Sequence, residues 1–265
     1  MDVAVVIPTY NRYEFTKRAI ESVLAQSYEV AEIIVVDDGS TDETYRLKDE
    51  FNLKYIYQKN SGVSCARNVG IKNSTCRWIA FLDSDDEWVS DKLEKQVAFH
   101  KQNLDVKFSY TDEIWIRDNK QINIPKKFKK FGGDIFDKSL EYCNIAPSSV
   151  LVLKDVLDEV GLFDESLEVC EDFDLWLKIL LKYEVGLVDE PLIKKYAGHN
   201  DQLSFKHWGM DRFRVKSLEK FLDSSKKDVV KCVILKKYET LLKGALKYGK
   251  MADVKIYTKK LESFI

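Results

Sequence analysis

The feature that most constrains this chain is a series of short, continuous apolar runs, each stopped by turn or acidic residues. "VAVVIP" (3 to 8) leads into Thr9, Tyr10 and Asn11, "EIIVV" (32 to 36) into "DDGS", and "RWIAFL" (77 to 82) into "DSDDE". Strands apolar at every position, rather than at alternate ones, must be covered on both faces, which is the condition of a parallel sheet flanked by helices. Between the first two runs, "EFTKRAIESVLAQS" (14 to 27) places Phe15, Ala19, Ile20, Val23 and Leu24 at helical spacing. The order is strand, helix, strand, and this implies parallel neighbours joined by a right-handed crossover. A second helix is expected after "STDET" (40 to 44), capped by Ser40 or Thr41, with Asp42 and Glu43 near its positive end. "LKYIYQ" (53 to 58) reads as a further strand and "GVSCARNVGIKNS" (62 to 74) as a helix. Open sheets of this kind bind ligands in the crevice at the carboxyl ends of the strands.

Beyond residue 105 the pattern changes. "VKFSYTDEIWI" alternates as a half-exposed strand does, "IPKKFKKFGGD" (124 to 134) reads as a basic mobile loop, and "SSVLVLK" (148 to 154) as a strand. "EDFDLWLKILLKY" (171 to 183) is an apolar helix with an acidic start, followed by a last strand in "EVGLVDEPLIKKY" (184 to 196). From about 209 onward the apolar residues recur at helical spacing. The expected organisation is a main domain over 1–205 and a helical C-terminal extension over 206–265.

Composition excludes more than it assigns. With 42 basic and 44 acidic residues the formal net charge is -2, so no global field draws the chain to nucleic acid or to an anionic membrane. Five cysteines, widely spaced and never in a C-x-x-C pair, argue against a disulfide framework or a zinc centre and for a reducing compartment. No stretch approaches the roughly 20 apolar residues of a membrane span. The expected location is cytoplasmic.

The run "FLDSDDEW" (81 to 88) puts Asp83, Asp85, Asp86 and Glu87 directly after a buried strand. Carboxylates this close repel one another, so a positive charge should sit among them. A hard divalent cation, Mg2+ or Mn2+, takes oxygen ligands and is commonly shared with substrate phosphates. On an extended segment Asp83 and Asp85 would point to one side and converge on it, leaving Asp86 as a brace; the alternative is that these acids only cap the next helix. In "VVDDGSTDET", Asp37 and Asp38 are either turn residues or acceptors for a base imide or a ribose hydroxyl. Tyr10 is a candidate for stacking on a base, and Arg67 and Asn68 for reaching a diphosphate, the alternative being an exposed helix face. Glu171 and Asp172 open the apolar helix, where a carboxylate either serves as general base or compensates the helix dipole. His199, in "YAGHNDQLS", lies on a loop after the last strand.

Taken together, "VVIPTYNR", "VVDDGSTDET", "SGVSCARNVGI", "FLDSDDEW", "GLFDE" and "CEDFDLWLK" resemble the family 2 glycosyltransferases, with the motifs in that family's order from Val3 to about His199. The resemblance implies the GT-A fold, α/β with a Rossmann-like, mostly parallel mixed sheet flanked by helices. It also implies an inverting, single-displacement transfer of one sugar from a nucleoside-diphosphate sugar, UDP-sugar foremost, to an acceptor hydroxyl. Thr9, Tyr10, Asp38, Arg67, Asp83 and Ser84 would bind the nucleotide-sugar, Asp83, Asp85 and His199 the Mn2+ or Mg2+, and Asp172 would be the catalytic base. Ala197 stands where the family usually has an arginine. The Q-x-x-R-W motif and membrane spans of the processive polymerases are missing, which favours one sugar per reaction.

The expected acceptor is a saccharide or lipid-linked saccharide of surface-polysaccharide, lipopolysaccharide or glycan synthesis, with no nucleic acid partner. Peripheral contact with the inner face of the membrane and a homodimer are both compatible with it. Lys126, Lys127, Lys129 and Lys130 are candidates for a lipid-linked phosphate. A nucleotidyltransferase, a catalytically inert sugar-nucleotide-binding protein and a nicotinamide enzyme are the competing classes. "PTYNR" has no glycine to cradle a triphosphate or a dinucleotide, and the acids required for transfer are all present, against the inert reading.

Overall fold

A computed structural model describes residues 1–196, 198 and 208–264. In chain order its regular elements begin with β1 (Val3–Thr9), α1 (Tyr13–Leu24), β2 (Glu32–Asp37), the single turn α2 (Leu47–Glu50) and β3 (Lys54–Tyr57). There follow α3 (Val63–Asn73), β4 (Trp78–Phe81), β5 (Glu87–Trp88), α4 (Lys92–Gln102), β6 (Phe108–Arg117), β7 (Lys120–Ile122) and the turn α5 (Phe136–Ser139). The chain continues through β8 (Leu151–Leu153), α6 (Lys154–Val160), α7 (Glu171–Leu180), β9 (Gly186–Tyr196), α8 (Asp211–Glu219), α9 (Lys227–Lys247) and α10 (Met251–Glu262).

The strands form one sheet in the order β3-β2-β1-β4-β8-β6-β9-β5, with β7 beside β6. The β3-β2-β1-β4 half is parallel, and β8 joins it antiparallel to both β4 and β6. Along β1 the side chains alternate between two cores. Val3, Val5 and Ile7 pack with Ala19, Ile20 and Val23 of α1, whereas Ala4 and Val6 face the other side with Ala66 and Ile71 of α3. Gly70 is required there, since a Cβ at this position would stand 2.3 Å from Val6 Cγ1.

The second core runs from Phe81, Phe108 and Trp176 into Phe213, Leu218, Ile234 and Tyr238 of the C-terminal helices. Those helices are therefore packed on the sheet's covering layer rather than hung beyond it. Lys220 makes this explicit, holding both Asp164 and the fully buried Asp174 at 2.6 Å. No helix among the described residues is long and apolar enough to cross a membrane.

Two local expectations are corrected. The helix after "STDET" is a 3-10 turn (Glu43–Arg46) followed by the single turn α2, and its cap is Asp42, which accepts from the Thr44 backbone N–H at 3.0 Å. Ser40 Oγ instead accepts from the Asn11 N–H at 2.8 Å, because Asn11 is in the left-handed region and turns its amide toward it. The basic segment 124–134 is anchored rather than free: the Tyr110 hydroxyl donates to Phe131 O (2.7 Å) and accepts from Phe131 N (2.9 Å). Lys130, the fourth of its lysines, is buried, pairs with Glu113 at 3.2 Å and donates to Asn144 O at 2.6 Å, so it cannot meet a lipid phosphate.

Candidate active site

The carboxyl ends of the neighbouring parallel strands β1, β2 and β4 lie at one edge of the sheet. At the end of β1 the Thr9 hydroxyl is buried against Thr16 Oγ1 at 2.7 Å, and the Thr16 hydroxyl donates its hydrogen bond to Arg12 O. Thr9 O accepts from the Asp38 N–H at 2.9 Å, which fixes the exit of β2 to that of β1. Tyr10, the next residue, is 47% exposed, a half-open aromatic face at the rim.

Asp37 and Asp38 are both buried. The Asp37 carboxylate accepts from the Ser40 N–H and from the Tyr55 hydroxyl. Asp38 accepts from Gln58 Nε2 (2.6 Å) and the N–H groups of Ser61 and Gly62 (2.8 Å each), tying β2 to the start of α3. Two carboxylate oxygens offer about four acceptor sites, so Asp38 retains capacity for one further donor.

The segment after β4 is a tight turn, not an extended strand, with the Asp86 N–H bonded to Asp83 O at 3.0 Å. The backbone here is therefore not the extended one from which alternation argued, and the two carboxylates meet different arginines. Asp83 Oδ1 lies 2.7 Å from Arg67 Nη2, Asp85 Oδ2 lies 3.1 Å from Arg12 Nη1, and Glu87 pairs with Arg18 at 2.9 Å. The positive charge demanded by the acidic run is therefore supplied in part by three arginines from α1, its approach, and α3. Ser84 is buried between them, its Oγ 3.5 Å from Arg12 Nη1. Asp86 is the brace: it accepts from Ser148 Oγ at 2.6 Å, while Ser148 in turn accepts from the Asp83 N–H. Burial and the like charges of Asp85 and Asp83 push the Asp86 carboxyl well above the usual range.

Arg67 and Asn68 are buried, so the exposed-face alternative is overturned. Asn68 is consumed by the "GLFDE" turn, donating to Phe163 O (2.9 Å) and Glu165 Oε1 (2.8 Å) and accepting from the Phe163 N–H. Arg67 forks between Asp83 and Glu171, both at 2.7 Å, over the Phe163 ring. Burial alone would lower its pKa, but the two carboxylates outweigh it and hold the guanidinium firmly charged. Glu171 is pushed up by burial and by the adjacent Asp172, with Arg67 opposing.

Asp172 stands in the first turn of α7, after Cys170 in the left-handed conformation. Its Oδ1 accepts from the Phe173 N–H at 2.7 Å and its Oδ2 from the Cys143 thiol at 3.3 Å. The carboxylate is thus oriented from both sides and only partly covered. Sequence reading missed Cys143, and nothing in its neighbourhood, "EYCNI", signals a role. It also missed Glu113 and Lys195. Burial works against the Lys195 ammonium, yet the charges of Glu113, Asp86 and Asp83 raise its pKa. His199 lies outside the described residues.

A metal fits this chemistry only as a shared ligand. The donors at hand are hard carboxylate oxygens of Asp83 and Asp85, and among the described residues no three His, Cys, Asp or Glu side chains converge on one point. Such a pair suits Mg2+ or Mn2+ held by one or two carboxylates together with substrate phosphate oxygens, not a closed protein cage.

Polar side chains gathered at the carboxyl ends of parallel strands, where the sheet order turns back on itself, stand where open α/β sheets bind their ligands. The model of "Glycosyl transferase family 2" matches residues 4–161, and the chain belongs to that family. An uncharacterized glycosyltransferase of Rickettsia felis is 38% identical over 196 residues, 72% of this chain and 32% of that protein. This chain thus spans less than half the length of that relative. The Escherichia coli UDP-Glc:alpha-D-GlcNAc-diphosphoundecaprenol beta-1,3-glucosyltransferase WfaP is 36% identical over 189 residues, 68% of this chain and 70% of that protein. The fold matches S. aureus TarS 1-349 crystallised with UDP-GlcNAc, with a TM-score of 0.71 at 20% identity, over 89% of this chain and 71% of that one.

Proposed function

We propose that this protein transfers a single sugar, with inversion, from a UDP-sugar to a hydroxyl of a lipid-linked saccharide at the inner face of the membrane. The observation that carries the reading is the Arg67 fork: one guanidinium joins the turn after β4 to the start of α7, through Asp83 and through Glu171, the residue before Asp172. The E. coli relative, named for a UDP-Glc donor and a diphosphoundecaprenol-linked acceptor, supports the donor and acceptor classes. Peripheral attachment agrees with the absence of any spanning helix among the described residues.

Thr9, Tyr10 and Asp38 receive the nucleoside in this reading, which the half-open Tyr10 ring supports as a stacking face and Asp38 as an acceptor with room for one further donor. Arg67, Asp83 and Ser84 orient the sugar-phosphate side. Mg2+ or Mn2+ bound through Asp83 and Asp85, with His199 as a further candidate, would supply Lewis-acid stabilisation of the departing diphosphate. Asp172 Oδ2 takes the proton of the acceptor hydroxyl as that oxygen attacks the sugar C1 from the face opposite the diphosphate. No covalent sugar-enzyme step is needed, and one base suffices.

The test is Asp172→Asn. Transfer from a UDP-sugar should fall by about 100-fold to 10,000-fold, the range for loss of a general base, while UDP affinity measured by calorimetry with Mn2+ stays close to wild type. Unchanged turnover removes Asp172 from the mechanism. Asp85→Ala should abolish the difference between UDP affinities measured with and without Mn2+; an undiminished metal effect removes Asp85 from the metal set.

A further inference from the structure

Strand β6 is irregular where it meets β9: the register shifts on both sides of Asp112, and bulges of this kind re-aim the side chains that follow. The residue re-aimed is Glu113, only 5% exposed. Its Oε1 accepts from Trp115 Nε1 at 2.8 Å and lies 3.2 Å from Lys130 Nζ. Its Oε2 is buried and, among the described residues, makes no hydrogen bond. A carboxylate oxygen in that state costs free energy until a donor reaches it.

Diagonally across the strand pair stands a donor of opposite charge. Lys195 is the register partner of Trp115, with its Nζ 6.0 Å from that ring. Among the described residues the half-buried Lys195 forms no hydrogen bond or ion pair, and no ion pair joins it to Glu113. Neighbouring strands thus present an unfilled acceptor and an unfilled donor of opposite charge on one face. A phosphate could accept from Lys195 but would be repelled by Glu113, and an ammonium could satisfy Glu113 but not Lys195. A hydroxyl does both, because it donates and accepts at once.

The position narrows the ligand. Lys130, which pairs with Glu113, donates to Asn144 O at 2.6 Å, and the neighbouring Cys143 is bonded to Asp172, while the carboxylates of Asp86 and Asp83 favour the Lys195 ammonium. A group bound by the pair therefore lies near the base and the acidic turn after β4. We infer that Glu113 and Lys195 bind hydroxyls of the sugar being transferred, with Trp115 at the edge of that pocket, and so contribute to the choice of donor sugar. This rests on the glycosyl-transfer reading above.

The experiment is a set of calorimetric titrations, with Mn2+, of wild type, Glu113→Gln and Lys195→Met. The ligands are UDP and whichever of UDP-glucose, UDP-N-acetylglucosamine and UDP-galactose binds the wild type most tightly. The ratio of UDP-sugar to UDP dissociation constants should rise about ten-fold or more in each variant, the scale of one lost charge-assisted hydrogen bond, with UDP affinity itself within about two-fold, which also controls for folding. Parallel loss of UDP and UDP-sugar affinity would mean the pair only maintains the fold, and overturns the inference. An unchanged ratio overturns it as well, including the case where only the KM for acceptor rises. Wild-type protein that binds neither UDP nor any of the three sugars overturns the parent reading, which separates the two failures.

Discussion

Arg67 Nη1 lies 2.7 Å from Glu171 Oε1, across 104 residues of chain, with the arginine buried and the glutamate 7% exposed. Removing one partner of such a pair strands the other charge in the interior, which typically costs about 3–5 kcal/mol. Arg67→Ala is therefore expected to lose stability on that scale in urea unfolding and to lose transfer activity with it. Arg67→Lys should recover part of the stability and little of the activity, since an ammonium cannot fork between Asp83 and Glu171 as a guanidinium does. Wild-type unfolding midpoints for both variants would contradict this account.

Cys143 is expected to position the base. Its thiol donates to Asp172 Oδ2 at 3.3 Å, and burial, followed by the Asp172 charge, pushes the thiol pKa well up, so it remains a donor across the neutral range. Cys143→Ala should lower kcat by roughly ten-fold, about the worth of one hydrogen bond, without moving the KM for donor. Cys143→Ser, which keeps the donor, should restore most of kcat. Equal kcat in the alanine and serine variants would show that the thiol only fills space.

Acid stability should depend on His100. Its ring is 3% exposed, hydrogen-bonded to Val106 O and Ser109 Oγ and packed on Trp78, and burial lowers its pKa from 6.5 to about 4, the Val106 carbonyl opposing. Between those values the unfolded chain binds a proton that the folded chain does not. Stability therefore rises with pH across that window and falls as pH drops from 6.5 toward 4, by about 3 kcal/mol in all at about 1.4 per unit. His100→Gln should be less stable at pH 7 but lose less on acidification; parallel stability-pH curves would refute the assignment.

Gly70 sets the approach of α3 to β1. Alanine is the better helix former by about 1 kcal/mol, but its Cβ would sit 2.3 Å from Val6 Cγ1 and 3.0 Å from Cγ2. Overpacking of that order costs about 1–3 kcal/mol, so Gly70→Ala should be net destabilising. Combined with Val6→Ala it should cost less than the sum of the two single changes; simple additivity would contradict the clash.

Several features were legible because they are local. The β-branched runs at 3 to 8 and 32 to 36 became β1 and β2, and the helical spacing of Ala19, Ile20 and Val23 became the buried stripe of α1. The acidic turn after Leu82 could be read as a site for positive charge without knowing what supplies it. Asp38 was singled out from "DDGS", but its engagement with Gln58, Ser61 and Gly62 was not visible, since it depends on where α3 begins relative to β2. The extended placement of Asp83 and Asp85 failed because a turn hydrogen bond and two arginines from different elements override period-two alternation.

The order of apolar runs and breakers determined, by itself, the parallel half of the sheet and the edge at which its polar strand ends gather, because burial of a strand or helix face follows from the spacing of its own residues. Only the tertiary structure decided which cation meets which acid: Arg12 with Asp85, Arg67 with Asp83 and Glu171, and Lys195 diagonal to Glu113 on one face of β6 and β9. Coulomb energy and hydrogen bonding depend on separation through space, and distance along the chain does not encode it.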